Sequence, residues 1–162
     1  MPLPTITVEM GRSVTLISNN AILSTGGLTE CSALAVLSNW NGRNYDTRTL
    51  MHLAGSNLEC GLWGTDAYSL IADLKYSLGS YGKVIFVSGI SSSSNFGISL
   101  ILGQYKNPNI LPLVDILNTP NIPTIIAVAS GISIQPNGDF TLPDNGRGVL
   151  NEPEVKAIYE LI

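Results

Sequence analysis

Cys31 and His52 are the residues of this chain whose types and spacing most readily support chemistry. A polar, glycine-containing stretch at residues 24–30 precedes Cys31, and small and branched apolar residues follow it. Asn41-Gly42 lies between the two residues and is a strong turn signal. Because the two legs around this turn have nearly equal length, an antiparallel strand pair would bring His52 back opposite the start of the first strand. An imidazole beside a thiol promotes thiolate formation, so the spacing predicts a nucleophilic cysteine.

The same residues also have structural interpretations. A free cysteine is often buried as a small hydrophobic side chain, and a lone histidine near a strand end is more often structural than catalytic. The other cysteine, Cys60, lacks a glycine-rich approach, so we interpret it as a packing or rim residue. A disulfide between Cys31 and Cys60 is compatible with the count, but a chain of this size does not need one. With a single histidine, the sequence supplies too few ligands for a zinc site, and we expect no metal and no cofactor.

The composition excludes several classes of partner. Charged residues make up 12% of the 162 residues, roughly half the usual share of about 25%. The eight Lys and Arg residues are scattered and the formal net charge is −4, so we expect no binding to nucleic acid or to anionic membranes. No apolar stretch approaches the roughly 20 residues of a membrane span. The amino terminus lacks a secretory signal pattern, so we expect a cytoplasmic protein, or one delivered into a host cytosol without a cleaved signal peptide.

The elements that must position Cys31 and His52 are predicted to be β-strands. Short β-prone runs separated by Gly11 and Asn19-Asn20 fill the first third of the chain. The near-continuous apolar run that begins at Cys31 is typical of a strand buried on both faces. The predicted strands of this third are residues 5–10, Ser13–Ile17, 21–23, 31–40 and 47–53.

The rest of the chain predicts helices first and then more strands. Apolar residues at helical spacing, from Ala67 to Leu78, predict a helix with Thr65 as its N-cap and Gly79 as its stop. Further predicted helices cover residues 98–105 and 110–117 and begin again at Asn151, and further predicted strands cover residues 84–87, 124–129, 132–135 and 140–142. Pro136-Asn137-Gly138-Asp139 predicts a hairpin with a type I′ turn. We therefore expect one α/β (α+β) domain over residues 1–162, with helices packed on a mixed sheet.

The segment 24–55 resembles the active-site region of a glutamine deamidase superfamily. This superfamily comprises the chemoreceptor deamidases of the CheD family and the catalytic domains of the cytotoxic-necrotizing-factor and Burkholderia-lethal-factor toxins. In that group a threonine lies six residues before the catalytic cysteine, and Thr25 stands at that offset from Cys31. The cysteine opens a strand of small and branched apolar residues, as Cys31-Ser32-Ala33-Leu34-Ala35-Val36 does. The chemotaxis enzymes place their histidine after the hairpin in a Met-His context, and Met51-His52-Leu53 echoes it.

The resemblance implies a mixed-sheet sandwich with helices packed on the sheet and a Cys31, His52 and Thr25 site. It implies a cysteine-dependent deamidase that converts a protein glutamine to glutamate through a thioester, in a bacterial toxin or effector that acts on a protein target. Thr25 would orient His52, although a threonine in Ser-Thr-Gly-Gly is also an ordinary turn residue. Thr29-Glu30 stands where the chemotaxis enzymes usually carry Gly-Ser. Another cysteine hydrolase or a transglutaminase, and a non-catalytic interaction module, remain open as alternatives.

Overall fold

The computed structural model describes residues 3–29, 31–53, 65–79, 81–90, 115–117, 119–151 and 153. Strands are the main regular structure in these residues and helix is scarce, so the protein is a mixed α+β fold. The helix α1 covers Thr65–Ser77. The strands are β1 (Thr5–Thr7), β2 (Ser13–Ile17), β3 (Ile22–Thr25), β4 (Ser32–Trp40), β5 (Tyr45–Leu53), β6 (Lys83–Ser88), β7 (Thr124–Val128), β8 (Ile132–Ile134), β9 (Phe140–Thr141) and β10 (Gly148–Val149).

These strands form two sheets. The larger sheet has the order β10-β7-β6-β4-β5-β2, and the smaller sheet has the order β1-β3-β8-β9. The central hairpin β4–β5 is antiparallel, whereas β6 pairs with β7 and β1 pairs with β3 in parallel. Both sheets are therefore mixed, as expected. The strand pattern alone predicts one mixed sheet, whereas the resemblance implies a sandwich, and the division into two sheets is compatible with that sandwich.

The central strands β4 and β6 of the larger sheet are buried on both faces, which explains the continuous apolar run that begins after Cys31. Since successive side chains of a strand point to opposite faces, Leu34 and Val36 pack on one side with Ile71 and Leu74 of α1. On the other side, Ala33, Ala35 and Leu37 belong to a second buried cluster. That cluster also contains Leu23, Ile132 and Ile134 of the smaller sheet. The layers thus follow the order helix, larger sheet, smaller sheet, and the second cluster fills the space between the sheets.

Arg48 is a buried cation in this intersheet layer. Its side chain has no exposed surface and donates hydrogen bonds to the carbonyl oxygens of Asn19 at 2.8 Å, Ala21 at 2.6 Å and Ile134 at 3.4 Å. Burial lowers the pKa of this guanidinium, but an arginine remains protonated in proteins. Arg48 thereby ties β5 to the β2–β3 connection and to β8, and it fixes the separation of the two sheets.

Two predicted turns have a different geometry from the one expected. A type I′ turn needs positive φ at both central residues, but Gly42 and Gly138 have positive φ whereas Asn41 and Asn137 do not. Residues 41–44 form a longer loop in which Asn41 Oδ1 accepts hydrogen bonds from the backbone N–H groups of Arg43 and Asn44. At the second turn the N–H of Gly138 donates to the carbonyl of Gln135. Pro136 has a fixed negative φ, which excludes type I′ and favours a type I turn followed by a glycine.

Most predicted elements that lie in the described residues are present with altered ends. The helix begins at Thr65 and ends at Ser77, followed by Gly79 with a φ of 65°. β5 begins two residues earlier than predicted, at Tyr45, and β1 ends three residues earlier, at Thr7. Strand β10 was not predicted, because Gly148-Val149 is too short to show a β pattern. The predicted helix at residues 98–105 and nearly all of the predicted helix that follows Asn151 lie outside the described residues.

Candidate active site

The register of the central hairpin brings His52 close to Cys31. His52 pairs with Ala33 across β4 and β5, and Cys31 lies two residues before Ala33. Cys31 packs against the cluster that contains Ala33, so both candidate residues face the intersheet layer. Side chains at such diagonal positions lie about 7–8 Å apart, with somewhat shorter Cβ separations, which long side chains can bridge. The sequence predicts that the hairpin returns His52 to the start of the first strand, at Cys31. The observed pairing differs from this by two residues, because His52 lies opposite Ala33.

Thr25 contacts His52 from the opposite sheet. Thr25 ends β3, and its side chain points into the same intersheet layer as Leu23. Its Oγ1 lies 2.7 Å from Nδ1 of His52 and 2.7 Å from the carbonyl oxygen of Val8. Thr25 and His52 are only 4% and 5% exposed. The structure thus brings Thr25 and His52, which are 27 residues apart, into a direct and buried hydrogen bond.

The hydrogen bonds around Thr25 determine which imidazole nitrogen carries the proton. A hydroxyl has one proton, and the Val8 carbonyl can only accept a hydrogen bond. When Thr25 donates to Val8, its oxygen must accept from His52, so Nδ1 carries the ring proton. In the neutral imidazole the other nitrogen, Nε2, is then an acceptor. Nε2 is buried and has no hydrogen-bond partner among the described residues, and it is therefore the free basic atom of the ring.

Burial favours the neutral form of this imidazole. It lowers the pKa of His52 below the ordinary value, and the Val8 carbonyl, which favours the protonated ring, offsets only part of that effect. The backbone of His52 is also fixed, since its N–H donates to the carbonyl of Arg12 and its carbonyl accepts from the N–H of Gly11. The Glu9–Arg12 turn that supplies these two bonds is closed by a 2.9 Å hydrogen bond from the N–H of Arg12 to the carbonyl of Glu9. A neutral and immobilised imidazole is suited to accept a proton.

Cys31 is a free thiol at the end of the approach loop. Its side chain is partly buried and forms no disulfide. Its carbonyl accepts a 3.0 Å hydrogen bond from the N–H of Gly89. No hydrogen bond joins the Cys31 thiol to His52 in the described structure. Catalytic hydrogen bonds are often long in the absence of substrate, so a thiol that shares the intersheet layer with His52 remains a candidate nucleophile. Glu30 and Cys60 lie outside the described residues.

An open cavity lies against His52. Its volume is about 410 Å³, within the range of about 300–1,000 Å³ for small-molecule and side-chain pockets. Its wall is formed by the end of β1, the turn that follows it, the two glycines after Thr25 and the histidine itself: Thr7, Val8, Glu9, Met10, Gly26, Gly27 and His52. His52 lines this cavity, whereas Cys31 and Thr25 are not among the residues of its wall. Another cavity, lined by Arg43 and Asn137 among others, does not contact the three candidate residues.

Two parts of this site could not be found from residue types. Val8 acts through its backbone carbonyl and Gly89 through its backbone N–H, so neither side chain carries a signal. The sequence indicates only that Gly89 lies two residues after the predicted strand at residues 84–87. Among the described residues no group of three or more His, Cys, Asp or Glu side chains could hold a metal ion. In that part of the chain no helix has the length and apolar character needed to cross a membrane.

Comparison with known proteins adds no relative to this picture. No protein-family model matches the chain, and no curated protein matches it. The resemblance to the glutamine deamidases therefore rests on the residues around Cys31 and His52.

Proposed function

We propose that this protein is a cysteine-dependent deamidase that converts a glutamine side chain of a protein substrate to glutamate and releases ammonia. One observation carries the proposal: the hydrogen bond between Thr25 Oγ1 and His52 Nδ1. Nε2, the other ring nitrogen, has no hydrogen-bond partner among the described residues and lies on the sheet face that also carries Cys31. This is the order of groups in a nucleophile, base and orienting-residue triad. The resemblance in sequence implies that the group attacked is a carboxamide.

In the first half of the proposed reaction, Nε2 of His52 takes the thiol proton of Cys31. The thiolate attacks the carboxamide carbon, and backbone N–H groups around Cys31 stabilise the oxyanion that forms. The imidazolium then gives its proton to the amide nitrogen as the carbon–nitrogen bond breaks. Ammonia leaves, and the substrate acyl group stays on Cys31 as a thioester. The proton lost by the thiol is thus the proton gained by the leaving group.

In the second half, water replaces the sulfur. Nε2 accepts a proton from the water molecule as its oxygen attacks the thioester carbon. The carbon–sulfur bond then breaks, the thiolate recovers the proton from the imidazolium, and the carboxylic acid that is released loses its remaining proton to solvent to give glutamate. We assign the path for that water to the cavity whose wall includes His52 and the turn that contains Glu9 and Met10.

The proposed substrate is a protein and the proposed setting is a bacterial effector or toxin. The resemblance supports both, and the composition is compatible with them. With eight Lys and Arg residues and twelve Asp and Glu residues, the chain offers little electrostatic steering, so Ser, Asn and apolar contacts must recognise the target. This reasoning favours an apolar binding surface on the target over a strongly charged one.

The test compares Cys31→Ser and His52→Ala with a Cys60→Ser control. The reporter is ammonia release from the small substrate carbobenzoxy-glutaminyl-glycine, and the second readout is the rate at which iodoacetamide labels each cysteine. We expect both site variants to lose ammonia release, with little change in the thermal midpoint for Cys31→Ser and a lower midpoint for His52→Ala, which removes a buried side chain that bonds Thr25. We also expect Cys31 to be labelled much faster than Cys60, and His52→Ala to abolish that preference. The Cys60→Ser control should behave as the wild type.

Other outcomes point to the alternatives. Incorporation of a primary amine in place of water would indicate a transglutaminase, and cleavage of peptide bonds would indicate another cysteine hydrolase. Equal labelling of the two cysteines, or faster labelling of Cys60, would exclude an activated Cys31 and favour a non-catalytic interaction module.

A further inference from the structure

The loop that joins β3 to β4, residues 26–31, carries Cys31 and is held by two neighbouring connections. The N–H of Gly89 donates to the carbonyl of Cys31 at 3.0 Å, and the N–H of Ile90 donates to the carbonyl of Leu28 at 3.1 Å. On the other side the N–H of Leu28 donates to the carbonyl of Ser130 at 2.9 Å. The side chain of Leu28 is fully buried and anchors the middle of the loop. The loop conformation is therefore set by contacts with the chain after β6 and the chain before β8.

Gly89 is in such close contact with this loop that it admits no side chain. A Cβ atom at Gly89 would overlap the carbonyl oxygen of Thr29 and would lie 2.7 Å from the carbonyl oxygens of Leu28 and Cys31. Real Cβ atoms essentially never come within 3.0 Å of such atoms. Since the φ of Gly89 is not in the left-handed region, the requirement for glycine comes from this close approach. The backbone carbonyl oxygens of Leu28, Thr29 and Cys31 therefore lie against the Cα atom of Gly89.

Gly131 is in a similar contact with the other end of the loop. A Cβ atom there would lie 2.6 Å from the carbonyl oxygen of Thr25 and 3.2 Å from the Cα of Gly26. The two connections are themselves joined, because the N–H of Ala129 donates to the carbonyl of Ser88 at 3.0 Å. The loop is therefore held between two glycines, one beside Cys31 and one beside Thr25.

We infer that Gly89 and Gly131 are positioning residues of the site, which set the place of Cys31 and Thr25 relative to His52 through the backbone. This inference rests on the proposed function, since it assigns a role in activating Cys31. Neither glycine touches the reacting atoms. Because neither residue has a side chain, the loop approaches both connections closely, and this approach sets where the thiol lies relative to His52. A Cβ at Gly89 would displace the carbonyl of Cys31 and with it the thiol.

The test uses two glycines at opposite ends of the same strand, β6. Gly89→Ala is the test variant and Gly82→Ala is the control, because a Cβ at Gly82 would lie 2.6 Å from the carbonyl oxygen and 2.7 Å from the Cδ2 of Leu78. The two sites are similarly crowded, but Gly82 lies beyond the end of β6 that is remote from Cys31. The readout is the rate of Cys31 alkylation by iodoacetamide as a function of pH, alongside the urea midpoint of unfolding.

We expect both variants to lose stability and only Gly89→Ala to lose reactivity. Alkylation of Cys31 at neutral pH should fall by about tenfold or more, because small displacements of a reacting group have large effects on rate. Its pH profile should approach that of His52→Ala, while Gly82→Ala keeps the wild-type profile. A wild-type rate and profile in Gly89→Ala, or an equal loss in Gly82→Ala, would overturn the inference.

Two further measurements separate the possible failures. If Gly89→Ala does not fold, Gly131→Ala replaces it as the test variant. The readout is then the nitrogen-15 chemical shift of His52 Nδ1 in the folded protein, which we expect to differ from that of the wild type. An unchanged shift then counts against the inference. If alkylation of wild-type Cys31 does not depend on His52 at all, the proposed function itself fails. If it depends on His52 but not on either glycine, only the positioning role fails.

Discussion

Replacing Thr25 with valine tests the hydrogen bonds on which the proposed site depends. The change keeps the branched shape of the side chain and removes the oxygen that bonds both the Val8 carbonyl and Nδ1 of His52 at 2.7 Å. Both residues are buried, so water cannot replace the lost oxygen. A buried polar group left unpaired costs about 1–3 kcal/mol. The valine variant leaves two such groups unpaired, the Val8 carbonyl and Nδ1 of His52. Because their penalties overlap in part, the free energy of unfolding should fall by about 2–4 kcal/mol.

The matched control is Thr25→Ser, which keeps the hydroxyl and loses one methyl group. Its expected cost is about 1 kcal/mol. For a chain of this size 1 kcal/mol corresponds to about 2–4 °C in the thermal midpoint, so Thr25→Val should melt roughly 4–16 °C below the wild type. Urea titration monitored by circular dichroism gives the free energies directly. The difference between the valine and serine variants isolates the contribution of the hydroxyl.

The same variants allow the tautomer to be read directly, because the chain has one histidine. A long-range proton–nitrogen-15 spectrum of the labelled protein therefore contains a single imidazole. We expect the wild type and Thr25→Ser to show a protonated Nδ1 and an unprotonated Nε2, and Thr25→Val to lose this preference. A wild-type ring protonated at Nε2 would refute the reasoning, because Nε2 could not then accept the thiol proton. So would a serine variant as unstable as the valine variant.

Two further predictions concern buried charge. Burial lowers the pKa of His52 in the folded state, so below the unfolded-state value of about 6.5 the unfolded chain binds more protons. The free energy of unfolding should be highest above that pH and should fall as the pH drops through the folded-state pKa, and urea titrations of His52→Gln should show a flatter dependence. Arg48→Ala should cost about 3–5 kcal/mol, because it removes a buried cation that serves three carbonyls, and Arg48→Met should recover part of that loss. Arg43→Ala, at an exposed position, is the control, and an equal cost in urea titrations would contradict the structural role of Arg48.

The sequence predicts well the hairpin that carries Cys31 and His52. It points to Thr25, the third residue of the site, only through the resemblance. The apolar run after Cys31, the turn signal and the length of the return strand together place His52 within two residues of the correct pairing, because strand geometry converts residue counts into distance. Thr25 belongs to the other sheet, and no local pattern states which strands of two sheets face each other. The contact across the layer depends on the packing of the whole core, which sequence periodicity does not encode.

The errors in the turns have a similar origin. Asn-Gly and Pro-Asn-Gly signal a reversal of the chain, but the loop length depends on the strand register on both sides. The register pairs Trp40 with Tyr45 and Ile134 with Phe140, which leaves four and five residues in the two loops. The burial of Arg48 could not be predicted from the sequence either. The sequence places this arginine in a predicted strand, and its burial is explained only by the carbonyls of distant segments that accept its hydrogen bonds.

The way in which the approach loop is held also bears on folding. Cys31 and His52 are joined by a local hairpin that can form early, but the loop before Cys31 is fixed only when the segments at Gly89 and Ser130 have docked. Non-local pairings of this kind form slowly compared with hairpins. A chain that ends before β7 would contain every side chain of the proposed triad. It would still lack the contacts that Ser130 and Gly131 make with the loop before Cys31. Thiol activation would then serve as a report of completed folding, so a nascent or partly unfolded chain would carry an ordinary cysteine.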